Sequence, residues 1–588
     1  MENIEIAAAL DEMADLLEIA GGANPFRIRA YRNAVLTVRD HATPIRALVE
    51  AGADLTELPA IGSEMASHIE ELVRTGRLTR LDELAEQVPR SLVTLTRLPG
   101  VGPKKARKLW DELDITTIDE LEAAAEAGDV AELEGFGEKT QSKIIEAIER
   151  YRKRSGRFRL NEVDELIAPL LDWLGDSEAV QRLEVAGSYR RRKETVGDVD
   201  LLVMSNDAPS VIERFLAYPP VHDVIKRGGN AASVHLANDL QVDLRVLDEE
   251  TIGAALVYFT GSKEHNIELR QRALERGLSV SEYGVFELAE EGEESVTSTT
   301  GRELGKRVAG RTEEEVYESV GLPWIPPVLR EHRGEIAAAE RGELPELVAL
   351  DDIRGDLQMH STWSDGKASI EEMLEACAAK GYEYFALTDH SQALAMTGGM
   401  DAEKLTRQLE EIEEIAARHP KITFLRSMEV DILVDGSLDL DDESLEKLDF
   451  VVISIHSKFD LPRDEQTKRL VRAIEHPLTD VVGHPTGRII GRRDPIDFDL
   501  SDVLDCAAEN HVAMELNAHP NRLDLRDIHL MEAKKRAVPI MISTDAHRPE
   551  ELGLMRYGVE QAQRAWLKAE DVLNAWPLER LLAGLGRD

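Results

Sequence analysis

Three aspartates have the residue type and the spacing that metal-dependent catalysis requires. Asp198 and Asp200 stand two residues apart in the segment DVDLLVM, so their side chains would point to the same face of a strand. Asp243 lies in a second apolar segment, LQVDLRVL, where an inward-facing charge needs a partner. Three carboxylates directed at one spot repel one another unless divalent cations sit between them. The pattern therefore predicts a site for two-metal phosphoryl transfer.

A turn shortly before these carboxylates could bind the phosphates of a substrate. It combines a glycine and a hydroxyl at Gly187-Ser188 with guanidinium groups at Arg190-Arg191. Such a turn can hold a triphosphate facing the metals. A surface strand with solvated aspartates would also read DVD, but it would not need the turn. The combination favours nucleotidyl transfer.

The C-terminal half contains a second set of residues with catalytic potential. Of the 16 histidines, several fall at the ends of strand-like segments beside carboxylates, namely His360, His390, His456, His484, His519 and His547. One such histidine is usually a structural donor, but a series over alternating strands and helices is hard to explain that way. Imidazoles and carboxylates that converge on one barrel face make a multinuclear Mn, Zn or Fe site, which activates water and clamps a phosphate.

The elements that must position these residues follow from the periodicity. Strand-like alternation begins at residue 183, and helical patterns return over 264–276. Residues 322–349 are predicted to connect two domains, because their prolines break regular structure. After Asp351, apolar strands alternate with helices, which predicts a parallel sheet or barrel with polar residues at the strand ends. The strand segments read DLQMHS, YFALTDH, ITFLRSMEVDIL, FVVISIHS, VVGHP, VAMELNAH and PIMISTDAH.

Three glycine turns near the N-terminus share one pattern, LPAIGS (58–63), LPGVGP (98–103) and LEGFGE (133–138), and each precedes a helix. Helix-hairpin-helix units of this kind bind phosphates through backbone amides without reading bases. The predicted DNA contacts are Gly62, Gly100, Gly102, Lys104, Lys105, Gly135 and Gly137. The basic segment YRKRSGRFRL (151–160) supports nucleic-acid binding, although a solvated linker is the alternative.

Composition excludes several classes of protein. The longest apolar stretches are far below the roughly 20 residues that cross a bilayer, and the N-terminus lacks a basic leader. Two cysteines, Cys377 and Cys506, do not form a disulfide framework and fit a reducing cytoplasm. A net charge of −43 with only 20 lysines among 70 basic residues predicts a halophilic source, since molar salt screens self-repulsion.

Residues 1–325 resemble the family X DNA polymerases of the polymerase-beta type. The resemblance rests on the hairpins, GSYRRRKETVGDVD (187–200), VDLRV (242–246) and YFTGSKEHNIELR (258–270). It implies that Asp198, Asp200 and Asp243 hold two Mg²⁺ or Mn²⁺ ions, with Asp243 nearest the primer 3′-hydroxyl. It also implies a nucleotide site: Gly187, Ser188, Arg191 and Gly197 at the triphosphate, Tyr258, Phe259 and Gly261 at the sugar, and Asn266 and Arg270 at the minor-groove side.

One family activity lacks its nucleophile here. Lyase members of the family form a Schiff base through a lysine on the helix after the first hairpin. That helix reads SEMASHIEEL in this chain, and no lysine occurs in residues 1–103. We therefore predict that this region cannot form a Schiff base.

Residues from about 350 to 575 resemble the PHP (polymerase and histidinol phosphatase) domain, a distorted barrel with up to three Mn²⁺, Zn²⁺ or Fe²⁺ ions. The implied ligands are His360, Asp365, His390, Glu429, His456, His484, Asp545 and His547, with Glu429 bridging. Gln358 stands where the family usually has histidine, and an amide carbonyl is the weaker ligand. His519 matches no ligand position, and Arg488 and Lys458 are candidates for binding a phosphate.

The joined modules resemble the bacterial and archaeal PolX group within family X. The expected fold is multidomain α+β and α/β. The predicted domains are a helical N-terminal domain (1–85), a fingers-like helical domain (86–158), a nucleotidyltransferase palm with a mixed sheet (159–250), a thumb (251–325), a linker (326–349) and a (β/α)7-type PHP barrel (350–588).

The resemblance implies gap-filling DNA synthesis in base-excision repair, with a PHP 3′→5′ exonuclease. Two alternatives remain: a DNA-end-processing phosphoesterase whose polymerase half is mainly a clamp, and a scaffold that binds gapped DNA. The expected partners are gapped or nicked double-stranded DNA and dNTPs, with no membrane, and the chain is expected to be a cytoplasmic monomer.

Overall fold

A computed structural model of the chain divides it into two compact units, Met1–Gly156 and Arg157–Asp588. The described residues are 3–21, 24–39, 45–50, 52–58, 60–85, 87–96, 98, 101–133, 135–153, 157–236, 239–289, 296–297, 303–394 and 398–585. No helix among these residues is both long enough and apolar enough to cross a membrane.

The first unit is helical in its described part. Its helices are α1 (Asn3–Ala20), α2 (Pro25–Arg39), α3 (Ile45–Glu50), α4 (Ser63–Thr75), α5 (Thr79–Ala85), α6 (Leu92–Thr96), α7 (Pro103–Leu113), α8 (Ile118–Ala127), α9 (Asp129–Glu132) and α10 (Gly137–Lys153). They share one apolar core, to which α1 contributes fully buried Leu10 and Met13 and α7 contributes Leu109. Burial of one apolar stripe per helix holds these short helices together, because helices of this length are marginal alone.

The glycine turns lie directly before helices of this unit. Gly62 precedes α4 and Gly102 precedes α7, and no side chain caps either helix start. Gly137 begins α10 with a φ of 64°, and Gly135 before it has a φ of 89°, the left-handed region that glycine tolerates. The uncapped amides of α4 and α7 can therefore donate hydrogen bonds to an anion.

The second unit begins with the palm. Its elements are β1 (Phe158–Arg159), α11 (Leu160–Gly175), β2 (Arg182–Val185), α12 (Gly187–Arg190), β3 (Thr195–Val196), β4 (Asp198–Met204), α13 (Ala208–Leu216), β5 (Val221–Arg227), β6 (Ala231–Leu236) and β7 (Gln241–Leu247). The main sheet has the order β2-β4-β7-β6-β5. Only β4 and β7 pair in parallel within it, and the other neighbours are antiparallel. The sheet is mixed, as predicted.

The thumb follows the palm in the chain. It comprises α14 (Ile252–Thr260), α15 (Lys263–Leu274), β8 (Leu278–Ser281), β9 (Gly284–Leu288), β10 (Val296–Thr297), β11 (Glu303–Ala309), α16 (Glu313–Ser319) and α17 (Glu335–Arg341). The segment 326–349, predicted as a linker, contains α17. It contributes Leu329, Ile336 and Ala339 to the same apolar core as Val257 of α14, so its apolar side chains are packed and not solvated.

The last part of the chain is a nearly closed parallel barrel. Its strands are β12 (Gly355–Asp356), β13 (Tyr384–Leu387), β14 (Thr423–Asp431), β15 (Phe450–Ser454), β16 (Val481–Val482), β17 (Ala513–Asn517) and β18 (Ile540–Ser543), hydrogen-bonded in chain order. Its helices are α18 (Ile370–Ala379), α19 (Ala402–Arg418), α20 (Asp442–Leu445), α21 (Arg463–Ile474), α22 (Leu500–Glu509), α23 (Asp527–Lys535), α24 (Met555–Arg564) and α25 (Leu578–Gly584). A parallel bridge between Met359 and Ala546 brings the last strand back beside the first. The predicted fold class is confirmed.

Gly253 tests the packing of the thumb helix α14, which leads into the predicted sugar contacts. A Cβ at this position would lie 2.3 Å from the backbone carbonyl carbon of Thr312. We expect Gly253→Ala to destabilise the protein by about 1–3 kcal/mol, because the two backbones must separate. Calorimetric unfolding would measure this change, with Gly175→Ala as the control, since a Cβ there meets nothing within 4 Å. Equal melting temperatures for both variants would contradict the close approach.

Candidate active sites

The parallel pairing of β4 and β7 brings the three aspartates together. The register places Asp200 directly beside Asp243, and Asp198 points to the same face as Asp200. Apolar Val199 and Val242 on the opposite face are fully buried in the palm core, which fixes the direction of the carboxylates. Burial, with the charges of Asp198 and Asp243, raises the pKa of Asp200 to about 7.

Each carboxylate of this cluster has defined neighbours. Asp243 accepts hydrogen bonds from the Ser233 hydroxyl and, at 2.9 Å, from Gln241 Nε2. Gly187 lies so close that a Cβ there would be 2.9 Å from Asp200 Oδ2, and its φ is +65°. Glycine is therefore required at this position by both space and conformation.

The basic turn places one guanidinium beside the aspartates. Arg191 donates from Nε to Glu331 at 2.9 Å and from Nη1 to the Thr260 carbonyl. Its charge also acts to lower the pKa of Asp200, although burial and the aspartates outweigh it. Ser188 lies half-buried in α12, and Gly197 is half-buried immediately before β4. The structure thus brings these predicted triphosphate residues to the edge of the carboxylate cluster.

The predicted sugar contacts lie at the end of α14. Tyr258 is 37% exposed and its ring meets that of Phe259 edge-on, with centroids 5.0 Å apart. Gly261 has a φ of +68°, and a Cβ there would lie 3.1 Å from Arg191 Nη1. This glycine therefore lets α14 approach the basic turn closely.

The two looser matches of the motif lie on α15. Asn266 donates from Nδ2 to the Tyr258 carbonyl at 2.7 Å. Its Oδ1 is buried and accepts no hydrogen bond from the described residues. Arg270 is exposed and donates from Nε to the Asn266 carbonyl at 3.1 Å. This buried acceptor is available to a donor from a ligand or from an ordered water.

Sequence reasoning missed Arg245 in this cleft. It stands two residues after Asp243 on β7, so it shares the face of that carboxylate. Its guanidinium lies 4.5 Å from the Phe259 ring centroid, and its charge acts to lower the pKa of Asp200. The alternation of side-chain directions along the strand segment VDLRV places Arg245 on the face of Asp243, so the sequence contained a signal for this residue.

The predicted DNA contacts belong to the first unit. Lys105 Nζ lies 5.2 Å from the centroid of the Phe136 ring. This contact links the second hairpin to the third. Lys104 is exposed on α7. Gly100 falls outside the described residues, as do positions 154–156 of the basic segment. His68, on the helix where lyases carry lysine, hydrogen-bonds to the Tyr31 hydroxyl at 3.0 Å.

In the barrel, the histidines and carboxylates converge on the C-terminal ends of the strands. One group contains His360, Asp365, His390 and His547, and a second contains His390, Glu429 and His456. Within each group the candidate ligand atoms all lie within 4.8 Å of one another. His390 belongs to both groups, so the two sites would share a wall.

Glu429 lies at the centre of this arrangement. Its Oε1 is 3.0 Å from His484 Nε2 and 3.4 Å from His456 Nε2. Its Oε2 is 3.4 Å from His390 Nδ1 and 3.5 Å from His360 Nε2. Each carboxylate oxygen therefore faces a different pair of imidazoles, as a bridging ligand must.

Asp545, which follows the last strand of the barrel, contacts His360, which follows the first strand. One of its oxygens is 3.1 Å from His360 Nε2, and the other accepts a hydrogen bond from Asn517 Nδ2 at 3.0 Å. Asp545 has a φ of 56°, a conformation that costs about 1–3 kcal/mol and recurs at functional sites.

The pKa values of His390 and Glu429 fit metal binding. Although burial alone would lower it, Asp365 and Asp545 raise the pKa of His547 to about 9, so that imidazole must lose a proton before it can ligate. Burial lowers the pKa of His390 to about 4, so this imidazole is neutral and able to ligate at neutral pH. Although burial alone would raise it, His390, His456 and His484 hold the pKa of Glu429 well below its usual value. Both oxygens of Glu429 and a ring nitrogen each of His360, His390 and His484 are buried without a hydrogen-bond partner among the described residues. Divalent ions would satisfy the atoms of Glu429, His360 and His390, so these residues fit the metals that the fold implies.

Gln358 is fully buried at this centre. Neither its amide oxygen nor its amide nitrogen has a hydrogen-bond partner in the described structure. A Cβ at Gly483, beside His484, would lie 3.6 Å from Gln358 Oε1. The amide therefore occupies the wall of the metal centre where its position in the motif predicts a ligand.

The two candidate phosphate-binding residues lie in different environments. Arg488 is buried and pairs with Glu194 of the palm at 2.7 Å, and Lys458 is exposed. His519 accepts a hydrogen bond from the Asn521 amide at Nδ1, at 3.2 Å, and belongs to neither ligand group.

Arg522, which sequence reasoning missed, faces the metal centre. Its Nε is 3.6 Å from Asp545, and after burial its charge is the main cause that lowers the pKa of His484. Its Nη1 is buried without a hydrogen-bond partner in the described chain. The sequence offered one signal for Arg522, namely a basic residue soon after the strand segment VAMELNAH.

Family models match successive parts of the chain. They describe a helix-hairpin-helix domain (1–78), a SAM-like helix-hairpin-helix tandem (92–150), a DNA polymerase beta palm (159–245), a DNA polymerase beta thumb (255–331) and a PHP domain (356–519). The matched parts contain most of the motifs, but the PHP match ends at residue 519, before Asp545 and His547.

Relatives agree with these matches. DNA polymerase/3′-5′ exonuclease PolX of Bacillus subtilis (strain 168) is 39% identical over 590 residues, which covers all of both chains. DNA polymerase lambda of Rattus norvegicus is 24% identical over 356 residues, 56% of each chain. DNA polymerase lambda of Arabidopsis thaliana is 25% identical over 304 residues, 47% of this chain and 54% of that one.

A polymerase-beta-type palm and thumb, joined to a barrel whose histidines and carboxylates form candidate metal sites, define a class of protein with separate polymerase and PHP centres. The chain belongs to the family X DNA polymerases that carry a C-terminal PHP domain. The predicted resemblance is confirmed, whereas the halophilic source stays a prediction.

The raised pKa of Asp200 predicts that this carboxylate destabilises the metal-free fold. Its pKa of about 7 exceeds the ordinary 3.8, so the folded state holds the proton more tightly than the unfolded chain does. Stability from this group therefore falls as pH rises from about 4 to about 7. We expect Asp200→Asn to raise the melting temperature in EDTA at pH 8 by about 4 °C or more. The gain should shrink as the pH is lowered toward 5.

Asp207→Asn is the matched control for this comparison. Asp207 is exposed and caps α13, and hydrogen bonds from Ser210 lower its pKa. It should show no stabilisation at pH 8. A gain for Asp200→Asn that did not depend on pH would contradict the crowding of the three carboxylates.

Proposed function

We propose that this protein fills short gaps in DNA during base-excision repair and removes nucleotides from 3′ ends at a separate centre. The polymerase beta modules and the PHP domain, with the full-length likeness to a DNA polymerase/3′-5′ exonuclease, support both activities. The substrates would be dNTPs and gapped or nicked double-stranded DNA.

The observation that carries the synthetic role is the register of Asp200 beside Asp243 in a parallel strand pair. Like charges held side by side and partly buried are costly without cations between them. A clamp or a scaffold would not need this arrangement, so both alternatives are disfavoured.

The chain's own residues would orient the reactants at the polymerase site. Arg191 and Ser188 would hold the triphosphate at the turn that Gly187 leaves open beside Asp200. Tyr258 and Phe259 would pack against the sugar, and the free Oδ1 of Asn266 would accept a hydrogen bond from the nascent pair or from an ordered water. Together they would align the primer 3′-oxygen with the α-phosphate, which is worth several orders of magnitude in rate.

Divalent metals are required by both centres. Asp198, Asp200 and Asp243 would hold two Mg²⁺ or Mn²⁺ ions, and the barrel residues up to three Mn²⁺, Zn²⁺ or Fe²⁺ ions. Bound ions supply Lewis-acid stabilisation of the phosphoryl oxygens and lower the pKa of the attacking hydroxyl or water.

In the barrel, the imidazoles and Glu429 would shape the ion sites, and Arg522 would contact the scissile phosphate. Support for Arg522 comes from its place beside Asp545 and His484 and from its buried Nη1, which has no hydrogen-bond partner among the described residues. A guanidinium forms charge-assisted hydrogen bonds with phosphate oxygens, which would orient the 3′-terminal nucleotide.

Asp198→Ala with Asp200→Ala should abolish dNTP incorporation and leave exonuclease activity intact. Conversely, His360→Ala or Asp545→Ala should remove the exonuclease and spare synthesis, because the two ligand sets share no residue. A labelled gapped duplex, incubated with Mg²⁺ or Mn²⁺ and with or without dNTPs, reports extension and degradation together. Loss of both activities from either change would count against two independent centres.

Gln358→His should strengthen metal binding in the barrel. An imidazole would replace a buried amide whose atoms have no described partner. We expect Mn²⁺ affinity to rise by about tenfold or more, since even changes outside the ligand shell have effects of this size. Metal content after gel filtration measures it, with Gln358→Leu as the control that should lose metal. Unchanged content in both variants would show that Gln358 is not a ligand.

A further inference from the structure

Helix α24 of the barrel contacts the palm and fixes the basic turn of the polymerase site. Arg564, at the end of α24, donates from Nη1 to the Arg191 carbonyl at 2.6 Å. The same nitrogen lies 3.0 Å from Glu331 Oε1. That oxygen is the one to which Arg191 donates from Nε, at 2.9 Å. Arg564 therefore fixes both the backbone and the side chain of Arg191.

The same helix also grips the next residue of the turn. Gln561 donates from Nε2 to the Arg192 carbonyl at 2.8 Å, and Glu560 pairs with the Arg192 guanidinium at 2.6 Å. Arg192 has a φ of 55°, in the left-handed region that a non-glycine residue adopts only when its surroundings require it. The barrel thus determines the conformation of the turn that follows Gly187 and Ser188.

The anchor of Arg564 is buried. Its side chain is 2% exposed, and it is held by Asp527 at 2.7 Å. Arg333 also pairs with Asp527, at 3.0 Å, and Lys193 lies 3.8 Å from the other oxygen of Glu331. Neither carboxylate would lose its last cation if Arg564 were removed, so a variant at this position should fold.

We propose that Arg564 is a positioning residue for nucleotide binding at the polymerase site, although it lies in the barrel. By fixing Glu331 and the Arg191 carbonyl, it directs Nη2 of Arg191 to the triphosphate, because the described contacts occupy Nε and Nη1. This inference rests on the proposed function, which assigns the triphosphate to Arg191. The consequence is that the PHP domain completes the dNTP site of the polymerase.

Steady-state insertion into a one-nucleotide gap tests the proposal. Arg564→Ala should raise the KM for dNTP by about tenfold with little change in kcat, because the triphosphate is bound in the ground state as well as in the transition state. Arg564→Lys should restore part of the affinity, since it keeps the charge beside Glu331 but not the planar fork. Exonuclease activity in the same preparations reports that the barrel is folded.

Arg556→Ala is the matched control. Arg556 also joins α24 to the palm, through Asp164 at 2.9 Å, but it does not contact Arg191 or Glu331. It should leave the KM for dNTP unchanged. An equal rise in KM for both variants would show general loosening of the palm against the barrel and would overturn the proposal.

A double-mutant cycle identifies the route. If Arg564 acts through Glu331, Arg564→Ala should add little to the KM in a Glu331→Gln background, and the two effects should not multiply. Equilibrium binding of a dNTP to a dideoxy-terminated gapped duplex gives the same comparison without turnover. Effects that multiply, or an unchanged KM in Arg564→Ala, would overturn the proposal for Arg564. The proposed polymerase function would still stand if Asp198→Ala with Asp200→Ala abolished incorporation.

Discussion

The polymerase half depends on holding like charges together. Asp198, Asp200 and Asp243 project from two parallel strands whose opposite faces are buried in the palm core, so the carboxylates cannot turn away from one another. Burial is the largest cause of the raised pKa of Asp200, and repulsion from Asp198 and Asp243 adds to it. The sheet core opposes this repulsion until cations arrive, and the site is therefore preorganised for ions.

In the barrel, the pKa of the central carboxylate is shifted in the opposite direction. Its central carboxylate, Glu429, is surrounded by imidazoles and keeps a low pKa although it is buried. His390 remains neutral at physiological pH because burial lowers its pKa. Here imidazoles hold the central carboxylate in its charged form, while both of its oxygens are buried without a hydrogen-bond partner among the described residues. The metal ions proposed for the two centres would relieve crowded carboxylates in the palm and would satisfy buried polar atoms in the barrel.

Buried arginines explain part of the composition. Arg330, Arg469 and Arg564 are almost completely buried, and each donates several hydrogen bonds to carboxylates or carbonyls. A planar fork can satisfy such sites, whereas an ammonium group cannot bond in two fixed directions at once. The excess of arginine over lysine therefore has a structural use in this fold, whatever the salt concentration of the source.

Local periodicity was sufficient for much of the site. Spacing by two placed Asp198 and Asp200 on one face, and the position of His360, His390 and His484 after apolar runs placed them at the ends of barrel strands. The same reasoning missed Arg245, which obeys the spacing, and Arg522, which follows a strand. Single basic residues occur throughout the sequence, and only their neighbours in space distinguish those two.

The amino-acid sequence alone determined the identity of the ligands, the strand and helix segments that carry them and the class of chemistry that they support. The tertiary structure decided which distant residues meet: Asp200 with Asp243, His360 with Asp545, and Arg191 with Glu331 and Arg564. Periodicity extends over a few residues, because it reflects the geometry of one strand or helix. Pairing between residues that are tens to hundreds of positions apart depends on sheet register and on the packing of whole domains, which no local pattern records.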